Sequence, residues 1–238
     1  MKETPNALID TEDFEMEALS LANNYRAAML NEFSTYLRGN VLEVGAGIGQ
    51  ITEALLKIPA ISKLVSIEPY PDFYRGLAKK FPGHNLVEGT IDDLKSDGHW
   101  NAIVSINVLE HIEWDQPELK KYQQHLLKDH GTLCLFVPAR PEIYGQLDKD
   151  FAHFRRYTKP ELRQKLESAG FEILRLRYYN FVGYFAWGLM IRLLGQRHLN
   201  PASVRLFDRV IFPPMNAFES RVCPPFIGQS LLAMARAK

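Results

Sequence analysis

Three glycines alternate through Val41-Leu42-Glu43-Val44-Gly45-Ala46-Gly47-Ile48-Gly49-Gln50, directly after a short apolar stretch. Glycine at these positions lets the chain turn sharply and lets a ligand approach the backbone where a Cβ would collide, as a nucleotide-like cofactor requires. A glycine pattern alone is also met in tight strand-to-helix turns that bind nothing. Two carboxylates add to it. Glu68 closes the next apolar run about twenty residues on, where such an acid accepts both hydroxyls of a bound ribose. Asp92 follows a third run in Gly89-Thr90-Ile91-Asp92-Asp93, where an acid and an apolar neighbour are placed to hold an adenine's amino group and ring face. Either acid alone reads as a solvated loop carboxylate. At the C-terminal ends of successive parallel strands they mark the crevice where open α/β sheets bind ligands.

Histidines and arginines supply the remaining chemistry. His111 lies in Asn107-Val108-Leu109-Glu110-His111-Ile112, at the lip of the fourth apolar run, and His153 opens His153-Phe154-Arg155-Arg156-Tyr157. Either imidazole is a candidate general base for an acceptor hydroxyl or phenol. Arg155 and Arg156, flanked by aromatics and followed by Tyr157, form a candidate bidentate clamp for an anionic acceptor. The competing reading is structural: His153 as a cap, Phe154 in the core, and the arginines paired with acids such as Asp148 and Asp150.

The spacing ExGxGxG, in place of the dinucleotide pattern GxGxxG, resembles the first motif of class I S-adenosylmethionine-dependent methyltransferases. The resemblance runs along residues 20–178 and the last strand. It implies an α/β, Rossmann-like fold: a seven-stranded, mainly parallel sheet with an antiparallel last strand, N-terminal helices and a helical insertion before that strand. It implies that S-adenosylmethionine is held by Glu43, Gly45, Ala46, Gly47, Gly49 and Gln50. Glu68 with Pro69 would then take the ribose, Thr90, Ile91 and Asp92 the adenine, and Asn107, Val108 and His111 the methionine end. In similar small-molecule enzymes an N-terminal helix folds over the cofactor, so Tyr25 and Arg26 either close the pocket or, alternatively, sit in the core and in solvent.

The segment from His153 to Tyr157 resembles one found in many bacterial methyltransferases of this broad group, including ones of quinone, polyketide and cell-surface glycan pathways. Methyl transfer from a sulfonium is an in-line displacement in which alignment and exclusion of water matter most. The expected acceptor is a small molecule, or one linked to a lipid or glycan, methylated at oxygen. A non-catalytic scaffold that binds the cofactor for a partner enzyme is the second reading. Nucleic acid modification is disfavoured, because Val108-Leu109-Glu110 follows Asn107 where enzymes that methylate base amino groups carry Asn/Asp-Pro-Pro-Tyr/Phe.

These residues need a frame. Strand-like apolar runs at Asn40–Val44, Lys63–Ile67, Asn85–Val87, Ala102–Ile106, Thr132–Val137, Phe171–Arg177 and Ser230–Ala235 alternate with helix-like stretches at Gln50–Leu56, Asp72–Phe81 and Gln116–Lys128. That alternation predicts a parallel sheet covered on both faces. Leu19, Leu21, Tyr25, Ala28, Met29, Phe33 and Leu37 recur at helical intervals and predict one or two amphipathic helices ahead of the sheet. Thr158-Lys159-Pro160-Glu161 is a capping box opening a helix to about Ala169, closed by Gly170. Residues 179–229 are too many for an idle connection and are expected to carry helices, interrupted at Pro213-Pro214 and Pro224-Pro225, and to form the acceptor side. There Tyr184 stands with Phe181, Phe185, Trp187, Leu189 and Met190 in an apolar surface followed by Arg192, Arg197, His198 and Arg205. Such a surface fits a lid, a dimer contact or a face resting on a membrane.

At 238 residues one domain is expected: a cap to 39, a cofactor core 40–178, the insertion 179–229 and the last strand 230–238. Lys plus Arg and Asp plus Glu each number 28, which gives no field to attract nucleic acid. Cys134 and Cys223 have no metal-ligand or redox spacing, so no metal is expected and a reducing, cytoplasmic setting is. The acidic segment Met1–Asp13 does not read as a signal peptide, and the uncharged stretch Tyr178–Ile191 is expected to be too short to span a bilayer. A monomer or homodimer with peripheral membrane contact at most completes the expectation.

Overall fold

The apolar runs form seven strands: β1 Gly39–Val44, β2 Ile61–Glu68, β3 Asn85–Glu88, β4 Ala102–Ile106, β5 Thr132–Pro138, β6 Phe171–Tyr179 and β7 Ser230–Ala237. The computed structural model describes residues 20–94, 99–196, 198–222 and 224–238, so Leu19, Arg197, Cys223 and Met1–Asp13 lie outside the described residues. The strands join one sheet in the order β3-β2-β1-β4-β5-β7-β6. β1 to β5 pair in parallel, and β7 runs antiparallel between β5 and β6. Both halves of the sheet therefore wind outward from the β1/β4 boundary, where a crevice opens at the strand C-termini.

Period-two alternation decides which helices cover which face. Leu42, Ile103, Leu133, Leu135, Leu231 and Ala233 point to one face, packed with Leu119 and Tyr122 of α4 (Asp115–His125) and Leu162 and Leu166 of α6 (Lys159–Ser168). Val41, Val104, Cys134, Phe136, Leu232 and Met234 point to the other, against Met29, Leu30 and Phe33 of α1 (Asn23–Phe33) and Leu55 of α2 (Gln50–Leu55). Each large side chain removed from water here contributes roughly 1.5–3 kcal/mol. Helix α3 (Pro71–Lys80) flanks β2 and β3, and α5 (Gln146–Asp150) comes between β5 and α6 in the chain and contacts the turn at Gly188–Leu193. The Thr158 capping box is formed, and Gly170 has a φ of 91°.

The insertion leaves the C-terminal end of β6 and returns at the start of β7, beside Pro138 and Tyr179, so it sits at the same edge as the glycine loop. Helix α7 (Phe181–Trp187) continues through a π turn at Gly188–Leu193; α8 (Pro201–Leu206) continues through a second, Phe207–Ile211, into α9 (Phe212–Arg221). The expected break at Pro213-Pro214 is thus not a break. Proline lacks an N–H and its ring crowds the carbonyl four residues back, and the widened turn just before the pair relieves both demands.

The insertion's two carboxylates are both buried and both serve helix N-termini. Asp208 accepts from the backbone N–H groups of Asn24 (3.1 Å) and Tyr25 (2.8 Å), capping α1 from another part of the chain. Glu219 accepts from Asn180 (3.2 Å) and Phe181 (2.8 Å) at the start of α7. Negative charge at a helix N-terminus meets unpaired N–H groups and the positive end of the dipole.

Candidate active site

The glycine loop links β1 to α2, with φ of 75° at Gly45, 54° at Gly47 and 80° at Gly49. The N–H groups of Gly45 and Ala46 both donate to the Ile67 carbonyl (3.0 Å each), which ties the loop to β2. At Gly45 a Cβ would lie 2.4 Å from Val108 Cγ2, so the missing side chain here admits the loop after β4. At Gly49 it would meet Phe81 at 2.6 Å and Leu77 at 2.7 Å, so this glycine lets α2 pack on α3.

Glu68, 3% exposed, ends β2 facing this loop: one oxygen accepts from Gly47 N–H (2.7 Å), the other from Tyr70 N–H (2.9 Å). Burial raises its pKa, and these two hydrogen bonds oppose the rise. Glu43 lies beneath the loop. Its Oε2 accepts from Thr52 Oγ1 (2.7 Å) and Ser66 Oγ (2.5 Å), Ser66 in turn being 3.0 Å from His84 Nε2. Its Oε1 is buried without a hydrogen-bond partner. Burial pushes the Glu43 carboxyl up to about 7 against the hydroxyl donors. Glu43 therefore braces β1, β2 and α2 from below, while Glu68 is the acid that meets the loop backbone.

Pro69, Thr90, Asp92 and Asn107 are exposed along the same strand edge. Thr90 caps a short turn at Ile91–Asp93, and Asp92 pairs with Lys121 at 2.5 Å. Ile91 is a correction: it is fully buried in the core, so it offers no face to an adenine in this arrangement. Exposed Tyr70, beside Glu68 and edge-on to Phe73 at 6.0 Å, is an aromatic surface that the sequence pattern did not single out. Asn107 holds a left-handed φ of 52° and donates its N–H to Phe136, which turns the chain sharply after β4.

That turn carries Glu110 and His111 against His153. The two imidazoles meet edge to face at 4.7 Å, and His153 Nδ1 lies 3.0 Å from Asp148 Oδ1. Both imidazoles are held below the ordinary histidine pKa, chiefly by surrounding protein. Glu110 is fully buried, neither oxygen has a hydrogen-bond partner, and burial raises its carboxyl to about 8.

The expected arginine clamp is turned inward. Arg156, 3% exposed, donates from Nε to Asp148 (2.7 Å) and from a terminal nitrogen to the Ala139 carbonyl (3.2 Å), with its guanidinium 4.8 Å from the Trp187 ring centre. Arg155 pairs with Asp115 at 2.9 Å and donates to the Glu113 carbonyl. Tyr157 is fully buried, its hydroxyl 3.0 Å from Asp115. The protein's own carboxylates occupy these three residues, so the structure corrects the expectation that they hold an acceptor. Phe154, which the competing structural reading put in the core, is 53% exposed.

From the other side, Tyr25 packs its ring on Phe136, Tyr179 and Phe212, and burial raises its pKa. Arg26 reaches Gln50 Oε1 at 2.7 Å, joining α1 to the first residue after the glycine loop. Tyr184, in α7, lies with its ring 5.6 Å from the Arg140 guanidinium and its hydroxyl 3.4 Å from Glu142, just beyond β5. Two surface hollows open elsewhere, toward the N-terminal ends of the strands, and no residue of the glycine loop lines either.

A family model described as a methyltransferase domain matches residues 20–176. A ubiquinone biosynthesis O-methyltransferase of Rickettsia canadensis is 26% identical over 155 residues, covering 58% of this chain and 64% of that protein. A trans-aconitate 2-methyltransferase of Rhodopseudomonas palustris is 30% identical over 141 residues, covering 55% and 53%. The match spans less than two thirds of the length of either relative. Among solved structures, a methyltransferase dependent on S-adenosylmethionine from Archaeoglobus fulgidus aligns with a TM-score of 0.60 at 16% identity, over 96% of this chain and 98% of that one. One from Mesorhizobium loti aligns with a TM-score of 0.57 at 14% identity, over 84% and 92%. At such identities the likeness is one of fold. The family model covers most of the chain, so the chain belongs to the methyltransferase-domain family, class I enzymes of Rossmann-like fold whose cofactor is S-adenosylmethionine.

Proposed function

We propose that this protein methylates an oxygen of a small acceptor presented at a membrane surface, most simply one linked to a lipid. The observation that carries the reading is the left-handed glycine loop joined through Gly47 to buried Glu68, with the Glu110, His111 and His153 group opening at the same strand edge. The residues fit a sulfonium nucleoside. Each Glu68 oxygen accepts one backbone N–H and keeps a lone pair for a ribose hydroxyl, while Asp92 and Tyr70 flank the place of the base. Gly45, Ala46, Gly47, Gly49, Gln50, Asn107 and Val108 would wall the rest, and Glu43 holds that wall in position from below. Bound there, the cofactor supplies an electrophilic methyl group. His111 and His153, uncharged at neutral pH, can take a proton from an acceptor hydroxyl at an unprotonated ring nitrogen.

One curated relative is named for O-methylation in ubiquinone biosynthesis and another for methylation of trans-aconitate, which supports this acceptor class. The insertion supports the membrane part. Phe185, Leu189, Leu193, Leu206, Val210 and Val222 are exposed on its two helical runs. Among the described residues no helix is long and apolar enough to cross a membrane.

Calorimetry with S-adenosylmethionine tests the cofactor contact: Glu68→Ala should weaken binding at least a hundredfold, and unchanged affinity would remove the ribose assignment. Incubation of the protein with methyl-labelled cofactor and cell extract, followed by solvent partition, tests the rest. Label in the organic phase is expected; label only in the aqueous phase removes the lipid link, and no labelled product at all leaves a scaffold.

A further inference from the structure

We propose that Glu110, His111 and His153 form a binding site for one first-row divalent transition ion, of the zinc, manganese or iron(II) kind. One ligand atom from each of the three lies within 4.8 Å of the others, and His153 Nε2 stands 4.0 Å from Glu110 Oε1. Nitrogen and oxygen atoms sharing one ion at about 2.1 Å lie roughly 3–4 Å apart, so small side-chain adjustments bring the set together.

Three further features point to a ligand. Glu110 is wholly buried, and neither of its oxygens has a hydrogen-bond partner from another residue. Leaving a buried carboxyl so bare costs several kcal/mol in general, and a cation in contact offsets it. His153 has the outer support that metal-bound histidines have: Asp148, 3.0 Å from Nδ1, holds the proton there and leaves the Nε2 lone pair facing Glu110. His111 is held beside the other two by its edge-to-face contact with the His153 ring at 4.7 Å. The Arg156 charge nearby is matched by Asp148, which also accepts from Gly145 N–H.

Two imidazoles with one carboxylate favour transition ions over magnesium or calcium. Three protein ligands also leave a coordination position open, on the side where His111 is exposed. Val108, which rests against Gly45, is three residues from His111, so the open position faces the place read above as the acceptor's. That placement rests on the methyltransferase reading; the ion site does not. With the ion bound, the imidazoles would be its ligands, and the ion would draw an acceptor oxygen into line and acidify its hydroxyl; the proton-accepting role given above to the histidines belongs to the ion-free site. The spacing rules did not reveal the set because its members come from two distant segments.

The test uses the full-length protein stripped with chelator and titrated with Co(II), read by visible absorption, then with Zn(II) by calorimetry. One equivalent per chain is expected, with affinity at least tenfold weaker in Glu110→Gln, His153→Ala and His111→Ala, and a Zn(II)-induced rise in Tm that the variants lose. His111 is the most exposed of the three ligands, and circular dichroism checks the fold of each variant. No binding by the wild type, or equal binding by a folded His111→Ala, overturns the proposal. Metal binding without affinity for S-adenosylmethionine would leave the ion site standing and sink the enzyme reading instead.

Discussion

Two glutamates twenty-five positions apart do different work because of depth. Glu68 meets the loop backbone at the strand edge, and Glu43 is sealed beneath it with one oxygen unsatisfied. With the Glu43 pKa raised from 4.5 to about 7, the unfolded chain gives up this proton more readily than the folded one. Its contribution is therefore complete below about pH 4.5 and is lost as pH rises through about 7, on the order of 3 kcal/mol in all. Urea unfolding between pH 5 and 8 should show wild type losing stability along this window and Glu43→Gln losing clearly less; parallel curves would mean that Glu43 does not carry the proton. Glycine spacing and a following acid were legible in the sequence because both are local. The fates of Arg155, Arg156 and Tyr157 were not, since their partners Asp148 and Asp115 are chosen by folding, and a clamp facing outward has the same letters as one facing inward.

Strands read well from sequence because a strand buried on both faces is apolar over its whole length, and a run such as Thr132–Pro138 has no helical alternative at that size. The insertion read less well, since a widened turn that accommodates Pro213-Pro214 leaves no signature in composition. Nor could sequence show that α1, which has no side-chain cap of its own, borrows Asp208 from 183 positions away at Tyr25. Removing that cap should unfasten one helix more than it unfolds the sheet. Asp208→Ala is expected to cost ~1–2 kcal/mol, the usual value of a lost N-cap, and to speed amide exchange chiefly over Asn23–Phe33 and the facing turn Phe207–Ile211. Hydrogen exchange read by mass spectrometry checks it. Protection of α1 equal to wild type would show that the packing of Met29, Leu30 and Phe33 holds the helix unaided.

On the scale of the whole molecule, a chain with no net charge presents a local surface of one sign. Asp208 and Glu219 are the insertion's only acids, and both are turned inward onto helix N-termini. The charges this segment shows to solvent are therefore guanidinium groups, Arg192, Arg205, Arg209 and Arg221, among exposed Leu189, Leu193, Val210 and Val222. A second copy of the chain would bring like charges together, whereas an anionic bilayer accepts both kinds of group, at roughly 1 kcal/mol for each arginine near its surface. The same strand edge carries the glycine loop, so a docked molecule would open its site toward lipid. Sedimentation with vesicles should show binding to phosphatidylglycerol mixtures, little to phosphatidylcholine alone, and release by salt. Replacing Leu189 and Val210 together by glutamate, both being exposed, should weaken binding at least tenfold with the fold intact. A wild type that ignores anionic vesicles, or a wild-type dimer that this double variant splits into monomers, would make the face a contact between copies and remove the membrane from the mechanism.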